Sequence, residues 1–444
     1  QRTDISVKEV PQSNPMDVLL EKLDSETGKA EPQGAASLEG AEFKVEFYAA
    51  FSGPRSAKAK NGADRTWIFK TDAEGKVRFT KDYLVSGDDF YYQNDGKTIC
   101  LPLGKVVITE TKAPDNYVCK GESKTVELVY AGQTVEVQTG SATFLNECQK
   151  TAVRVEKQDE ETKNPLSGGI YGLYAAEDIK VDGKTVVPKG TLIEKATTGA
   201  DGKASYKAEL PINYSYSIRE IQAPELYLRN SEDTYTFTFK FTNDKEEKVN
   251  FSHTFTNKRV NATIDLVKED SETGNSAQGD AVFEGAIYGL YAREDINHPD
   301  GRSGVLYKKD EQVATLTTDK EGKASVSNLY LGKYYLKEIT PPVGYLLDEE
   351  EHDVNCDYEG DQVETVKRNT VSKEDVIKQP FQLIKAADND KTDADLLKGA
   401  GFSAYLISSL TVKDDGSYDF TNATPIVLTE DGKTEMFTDE KGYA

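Results

Sequence analysis

Four copies of one pattern constrain this chain more than any other feature of its sequence. Each copy opens with an alternating apolar stretch that ends in a lysine, and the four lysines are Lys22, Lys157, Lys268 and Lys385. The copies recur at intervals of about 110–130 residues, a period too long for a solenoid repeat. The sequence therefore predicts a tandem series of similar domains, each with its own core.

Within each repeat, short alternating segments are separated by turns rich in Gly, Pro and Asp. Alternation with a period of two is typical of strands that bury one face, and no long apolar stripe has helical spacing. An acid followed by Gly recurs in the turns at 71–76, 198–203, 318–323 and 429–433, where Gly suits a positive φ. The predicted fold class is all-β, with Ig-like β-sandwiches in an elongated array.

The repeats predict three complete domains at residues 15–148, 149–258 and 259–378. Residues 379–444 are expected to begin a fourth domain, and residues 1–14 to be the tail of a preceding one. The first domain carries an extra stretch at about 52–100 with the one tryptophan, Trp67, and the cluster Phe90, Tyr91 and Tyr92.

Charge and composition exclude several classes of function. The chain has 54 basic and 77 acidic side chains, for a net charge of −23, whereas nucleic-acid binding needs Lys and Arg for the phosphates. No apolar run approaches the roughly 18 residues of a membrane helix, so no membrane insertion is expected. The three histidines are scattered and no catalytic motif occurs, which predicts a protein that is not an enzyme and has no cofactor.

The cysteines and acidic clusters predict no metal site. None of the four cysteines is arranged as C-x-x-C, and free thiols are favoured over a disulfide among Cys100, Cys119 and Cys148. The acidic segment 387–395 lacks the EF-hand pattern and is interpreted as a solvated loop.

Strand parity places three polar side chains on the apolar face. The four lysines continue the core-facing row of their strands, and an unpaired buried ammonium is very costly. By the same parity Glu110, Glu220 and Glu338 face the core of the first three repeats. Near the ends of the first two repeats, Asn146 and Asn257 each follow a core-facing Phe by two positions.

A lysine, an acid and a carboxamide in a dry core admit two interpretations. The simpler one is a buried Lys–Glu ion pair. The other is an amide bond, because desolvation lowers the pKa of Lys and raises that of Glu, and a neutral amine is a nucleophile. A protonated Glu would then polarise the Asn carbonyl and pass a proton to the leaving ammonia.

The opening K-x-D, the G-A-x-F/Y strand, the E-T/I-x-A-P-x-x-Y segment and the terminal Asn resemble the CnaB or SpaA-type domains of Gram-positive surface proteins. This resemblance implies a prealbumin-like, inverse-Ig sandwich with intramolecular isopeptide bonds, as in pilins and adhesin stalks. It implies a bond from Lys22 to Asn146 assisted by Glu110, and one from Lys157 to Asn257 assisted by Glu220.

The third and fourth repeats depart from the pattern. In the third, Lys268 and Glu338 are in place, and spacing leaves Asn369 and Asp375 as equal candidates for the acceptor, the family also using Asp with loss of water. The absence of any bond there is a further alternative. The fourth repeat has Lys385 without either partner.

Two functions follow from the resemblance. The first is a monomeric stalk segment of an adhesin or pilus-like protein on the Gram-positive cell wall. The second is an adhesive module that binds a host or matrix ligand through the stretch near Trp67, although aromatics that fill the core of the first domain are the favoured interpretation. A polymerising shaft would need a sorting motif, which LPLGK at 101–105 does not provide.

Overall fold

The computed structural model describes residues 13–14, 19–32, 36–49, 62–129, 141–181, 183–388, 395–429 and 431–444. These residues form strands and turns, with short 3-10 turns at Lys81–Tyr83 and Ile407–Ser409 and, within the same ranges, no α-helix. The predicted all-β class is confirmed. A search of the described ranges finds no helix long and apolar enough to cross a membrane.

The chain divides into two compact units. The first contains Gln1–Arg259 and Gly360–Gln362, and the second contains Val260–Glu359 and Val363–Ala444. The first unit holds the first two repeats, and the second holds the third and fourth.

The first repeat contains one five-stranded sheet, β10-β9-β3-β4-β6, and two three-stranded sheets, β11-β2-β5 and β1-β8-β7. Residues 13–14, expected to belong to a preceding domain, pair here with Leu101 and Pro102 of β8, and residues 1–12 lie outside the described ranges. The strands are β1 (Ser13–Asn14), β2 (Leu20–Asp24), β3 (Glu42–Ala49), β4 (Arg65–Lys70), β5 (Lys76–Val77), β6 (Leu84–Gly87), β7 (Tyr91–Tyr92), β8 (Ile99–Pro102), β9 (Gly104–Lys112), β10 (Ser123–Leu128) and β11 (Ala142–Asn146).

The second repeat is a sandwich of a three-stranded sheet, β17-β12-β20, and a four-stranded sheet, β16-β13-β18-β19, with a β14-β15 hairpin. Its strands are β12 (Lys150–Asp159), β13 (Ile170–Ala175), β14 (Ile179–Val181), β15 (Lys184–Val187), β16 (Leu192–Thr197), β17 (Lys203–Ser205), β18 (Tyr214–Gln222), β19 (Thr234–Phe239) and β20 (Lys248–Asn257).

The third repeat has the same two sheets, ordered β26-β21-β29 and β25-β22-β27-β28, with a β23-β24 hairpin. Its strands are β21 (Asn261–Asp270), β22 (Ile287–Ala292), β23 (Ile296–Asn297), β24 (Val305–Tyr307), β25 (Gln312–Thr317), β26 (Lys323–Leu329), β27 (Gly332–Thr340), β28 (Glu351–Cys356) and β29 (Thr365–Glu374).

The described part of the fourth repeat contains two short pairs, β30 (Gly401–Phe402) with β33 (Met436–Phe437), and β31 (Thr411–Val412) with β32 (Tyr418–Asp419). It keeps a threonine contact of the complete repeats. Thr438 donates its hydroxyl to the carbonyl of Leu397 at 2.6 Å, as Thr71, Thr198 and Thr318 do at the equivalent turns. The acidic segment 387–395 lies mostly outside the described ranges.

The aromatic residues of the extra stretch fill the core of the first repeat. Trp67 is fully buried, stacks on Phe90 at 6.0 Å between ring centroids and meets the edge of Phe79 at 5.1 Å. Of the predicted aromatic cluster, Tyr92 alone is exposed, at 41%. Trp67 is therefore a core residue, as the favoured interpretation expected, and does not itself offer a surface to a ligand.

Candidate cross-linking sites

The first and last strands of each complete repeat run parallel and side by side. In the second repeat β12 pairs with β20 so that Lys157 lies opposite Phe255, and Asn257 follows two residues later on the same face. In the first repeat Lys22 lies opposite Phe144 in the same way, with Asn146 two residues beyond. Because neighbouring strands lie about 4.8 Å apart, a lysine reaches the acceptor side chain diagonally across this pair.

The glutamates come from the opposite sheet. They lie on a middle strand of that sheet, and register sets Glu110 opposite Phe43, Glu220 opposite Tyr171 and Glu338 opposite Tyr288. Alternation on these strands turns each carboxyl toward the lysine-bearing sheet. All three are at most 6% exposed.

In the first repeat the predicted residues Lys22, Glu110 and Asn146 meet in the core, with exposures of 0%, 1% and 5%. The Asn146 amide Nδ2 donates to both Glu110 carboxyl oxygens, at 2.8 and 3.0 Å. The Lys22 Nζ lies 3.8 Å from Glu110 Oε1 and makes no hydrogen bond with any described residue. The carboxyl thus lies between the amine and the amide.

The second repeat has the same arrangement, with the lysine closer to the glutamate. Asn257 Nδ2 donates to both oxygens of Glu220, at 3.0 and 3.1 Å, and Lys157 Nζ lies 3.3 Å from Glu220 Oε1. Lys157 Nζ also contacts Asn257 Oδ1. The hydroxyl of Tyr171 donates to Glu220 Oε1 at 3.0 Å, a contact that Phe43 cannot make in the first repeat.

These contacts change one detail of the expected chemistry. The glutamate was expected to polarise the Asn carbonyl, but it faces the amide nitrogen instead, and in the second repeat the carbonyl oxygen faces the lysine. The nitrogen beside the carboxyl is the group that would leave as ammonia. The glutamate is therefore placed to pass a proton to the leaving group.

Burial sets the protonation of these sites. Desolvation lowers the pKa of Lys22 to about 8, and that of Lys157 to about 8, against the attraction of Glu110 and Glu220. Burial also raises the pKa of Glu110, although Lys22 and Asn146 oppose the shift. Since desolvation outweighs the opposite charge, roughly a tenth of such an amine is neutral at pH 7.

The third repeat differs from both expectations for its acceptor. Asn369 lies opposite Asp265 on the exposed face of β29, and Asp375 is exposed beyond the strand and accepts a hydrogen bond from Ser271. Glu374 instead occupies the position of the earlier asparagines, two residues after Ser372, the register partner of Lys268. The residue numbers favoured Asn369 and Asp375, but side-chain parity turns both away from the core.

Lys268 faces two buried glutamates. Its Nζ contacts Glu374 Oε2 and lies 3.5 Å from Glu338 Oε1. In the fourth repeat Lys385 has an exposed side chain, and the described residues there include no strand equivalent to those that carry the acid and the acceptor.

One contact beside the lysines of the first three repeats was not predicted. The Asp of each K-x-D motif is buried and accepts a hydrogen bond from the Tyr of the A-P-x-x-Y segment, at 2.6–2.9 Å. The pairs are Tyr117 with Asp24, Tyr227 with Asp159, and Tyr345 with Asp270. The sequence shows the K-x-D and A-P-x-x-Y motifs separately. Their recurrence in the same three repeats is the signal that could have predicted this pairing.

The turn glycines contact the lysine strand directly. A Cβ at Gly202, whose φ is +72°, would lie 2.6 Å from the carbonyl oxygen of Lys157. The Gly202 carbonyl accepts a hydrogen bond from the Lys157 amide at 2.7 Å. The same contact recurs at Gly75, Gly322 and Gly442. These glycines therefore allow the turn and also set the position of the lysine backbone beside it.

Other polar groups include the cysteines and an acidic cluster beside the third site, where the backbone amide of Asp348 donates to Glu338. The four cysteines are free thiols, with Cys148 part-exposed and the others buried. Among the described residues Asp348, Glu350 and His352 are grouped closely enough to hold a cation, but His352 Nε2 is already 2.6 Å from Asp348 Oδ2.

Comparison with known families agrees with this fold. Residues 17–143, 151–258 and 262–371 each match the family described as SpaA, prealbumin-like fold domain. The three matches cover most of the chain and confirm the resemblance predicted from its motifs.

Individual relatives match more weakly. A collagen adhesin of Staphylococcus aureus is 29% identical over 209 residues, which cover 44% of this chain and 16% of the adhesin. The solved TIE protein of Bacillus anthracis is 20% identical, with 82% of this chain and 51% of that chain covered at a TM-score of 0.49. The major pilin subunit BcpA of Bacillus cereus is 14% identical, with 82% and 100% covered at a TM-score of 0.28.

Proposed function

The chain belongs to the SpaA family of prealbumin-like domains, and from this premise we propose that it is a stalk segment of a Gram-positive cell-surface adhesin or pilus-like protein. Its first two repeats are stiffened by autocatalytic amide bonds, Lys22 to Asn146 and Lys157 to Asn257. The buried contact between an amine and a carboxamide on neighbouring parallel strands, with a carboxyl from the opposite sheet beside both, carries this proposal. The location that follows is the outer face of the cell wall.

The reaction balances without a cofactor. The neutral Lys157 Nζ attacks the Asn257 Cγ, and a bond forms between them. Glu220 takes one proton from the nitrogen and delivers it to Nδ2, so that the Cγ–Nδ2 bond breaks and ammonia leaves. Each site reacts once, which makes this a maturation step and not turnover.

The proposed domains are residues 15–148, 149–258 and 259–378, followed by residues 379–444. Each of the first two bonds would join the first and last strands of its domain. A covalent bond at this place bypasses the hydrogen bonds that hold the two strands, which is the property a load-bearing stalk needs.

An adhesive role is the second candidate, and the similarity to a protein named collagen adhesin supports it. The partner class would be an extracellular-matrix protein. Since Trp67 is buried, the exposed Tyr92 is the aromatic side chain in the described part of that stretch that we propose contacts the ligand. Binding to immobilised collagen tests this role. If the full chain binds and its Tyr92→Ala variant does not, the role is supported. If both bind equally, Tyr92 is not the contact residue.

Peptide mapping of the full chain tests the proposed bonds. After tryptic digestion we expect a branched product that joins residues 155–163 to residues 249–258 and lacks one ammonia. Lys157→Ala should remove this product and leave the bond of the first repeat. Linear peptides from both repeats, with the unmodified intact mass, would refute the proposal.

A further inference from the structure

A glutamate takes the acceptor position in the third repeat. Glu374 lies on the core face of β29, is 4% exposed and meets Lys268, which is 1% exposed. The parallel register is that of the first two repeats, because Lys268 pairs with Ser372 and the acceptor follows two residues later. The acceptor is a glutamate instead of an asparagine, and the residue opposite the lysine is Ser372 instead of a phenylalanine.

We propose that Lys268 and Glu374 condense to an amide with loss of water, so that the third repeat carries a Lys–Glu cross-link. The inference rests on the proposed function, since it assigns to this repeat the same attack by a buried amine. It assigns a carboxyl acceptor where the first two repeats use a carboxamide.

The side chains around Glu374 hold its two oxygens in different environments. The Tyr288 hydroxyl donates to Oε1 at 2.7 Å, whereas the Ser372 hydroxyl lies 3.2 Å from the same oxygen and closer, at 2.8 Å, to Asp348 Oδ2. Oε2 faces the Lys268 Nζ. The hydrogen bond from Tyr288 to Oε1 would stabilise the negative charge that grows there during attack, which leaves Oε2 as the oxygen that departs.

Glu338 is placed to move the proton. Its Oε1 lies 3.5 Å from Lys268 Nζ, while its Oε2 is fixed by the backbone amide of Asp348 at 2.9 Å. Burial raises the pKa of Glu338 and lowers that of Lys268, which favours neutral forms of both. Geometry and burial thus provide the three groups that the reaction requires.

The step balances with these groups alone. Proton transfer from Lys268 to Glu374 gives a neutral amine and a neutral carboxyl. The Nζ–Cδ bond forms, Glu338 carries one proton from the nitrogen to the departing hydroxyl, and the Cδ–O bond breaks to release water. Condensation removes one positive and one negative charge from a dry core, where an unreacted ion pair bears a large desolvation cost.

Tryptic mapping of the full chain tests the inference. The expected product joins residues 260–293 to residues 374–378, uncleaved after Lys268, with one water lost. Tandem fragmentation should place the branch on Glu374. A linear peptide that ends at Lys268, or a branch on Asn369 or Asp375, overturns it.

The second repeat is the internal reference in the same digest. If its branch forms and the third does not, the Lys–Glu inference alone fails. If neither forms, the proposed function fails as well. Glu374→Ala should abolish the water loss, and the matched exposed variant Asp375→Ala should retain it. Because the wild-type map is decisive by itself, the test does not depend on how well Glu374→Ala folds.

Discussion

Replacing Lys157 by Met should allow the second repeat to extend under force. Met keeps most of the length of the lysine stem and removes the amine, so the repeat can fold but cannot close its bond. Lys157 and Asn257 are 100 residues apart. At about 3.3–3.6 Å for each extended residue, freeing that segment adds roughly 340 Å of contour length.

Single-molecule force spectroscopy on the full chain measures this length. In the wild type the segment between Lys157 and Asn257 should add none, because the amide holds its ends together. Lys157→Met should show one additional unfolding event of roughly 340 Å. Lys203→Met is the matched control, since Lys203 lies on the neighbouring strand with 46% of its side chain exposed.

Two results would contradict the reasoning. A wild-type chain that already shows this event from the second repeat has no load-bearing bond there. A variant that shows no new event, although it has lost the branched peptide, would mean that the cross-link does not carry the load.

Three further predictions concern the same sites. Lys22→Met should lower the unfolding midpoint reported by Trp67, the one tryptophan, by roughly 20 °C, because opening a loop of about 120 residues costs about 5 kcal/mol; an unchanged midpoint in thermal fluorescence would contradict it. In Asn146→Ala, Lys22 stays unreacted and buried, with its pKa lowered from 10.5 to about 8. The loss of folding stability caused by burying this charged amine is full below pH 8 and shrinks toward pH 10.5. Melting scans against pH should therefore show the variant, and not the wild type, gaining stability over this range. Gly202→Ala should destabilise the second repeat more than Gly190→Ala by calorimetry, because both have positive φ but only the first meets the lysine carbonyl, at 2.6 Å; equal losses would make backbone conformation the sole cause.

Alternation carried most of the prediction from sequence. A period of two identified the strands and also showed that Lys157, Glu220 and Asn257 face inward, because a residue's face depends only on its parity within the strand. The all-β class and the first two sites follow from that rule together with the repeats.

The third repeat shows where this reasoning ends. Spacing along the chain favours Asn or Asp as its acceptor. The Phe that precedes the acceptor by two residues in the first two repeats is replaced here by Ser372, so the sequence lacks that marker. The register of β29 against β21 decides the position, and it selects Glu374. Strand pairing between distant segments is a tertiary property that spacing alone does not determine.

The lowered pKa of the lysine would make formation of the proposed Lys–Asn amide depend on correct folding. In the unfolded chain Lys157 is solvated and keeps its ordinary pKa, so the neutral amine is scarce and the asparagine is distant. Folding buries the amine, lowers its pKa to about 8 and brings Asn257 into contact. The proposed reaction would then replace a buried charge by a neutral amide and so relieve the desolvation penalty that had activated the lysine. A misregistered repeat would lack both the burial and the contact, so the bond would lock only the native pairing of the first and last strands.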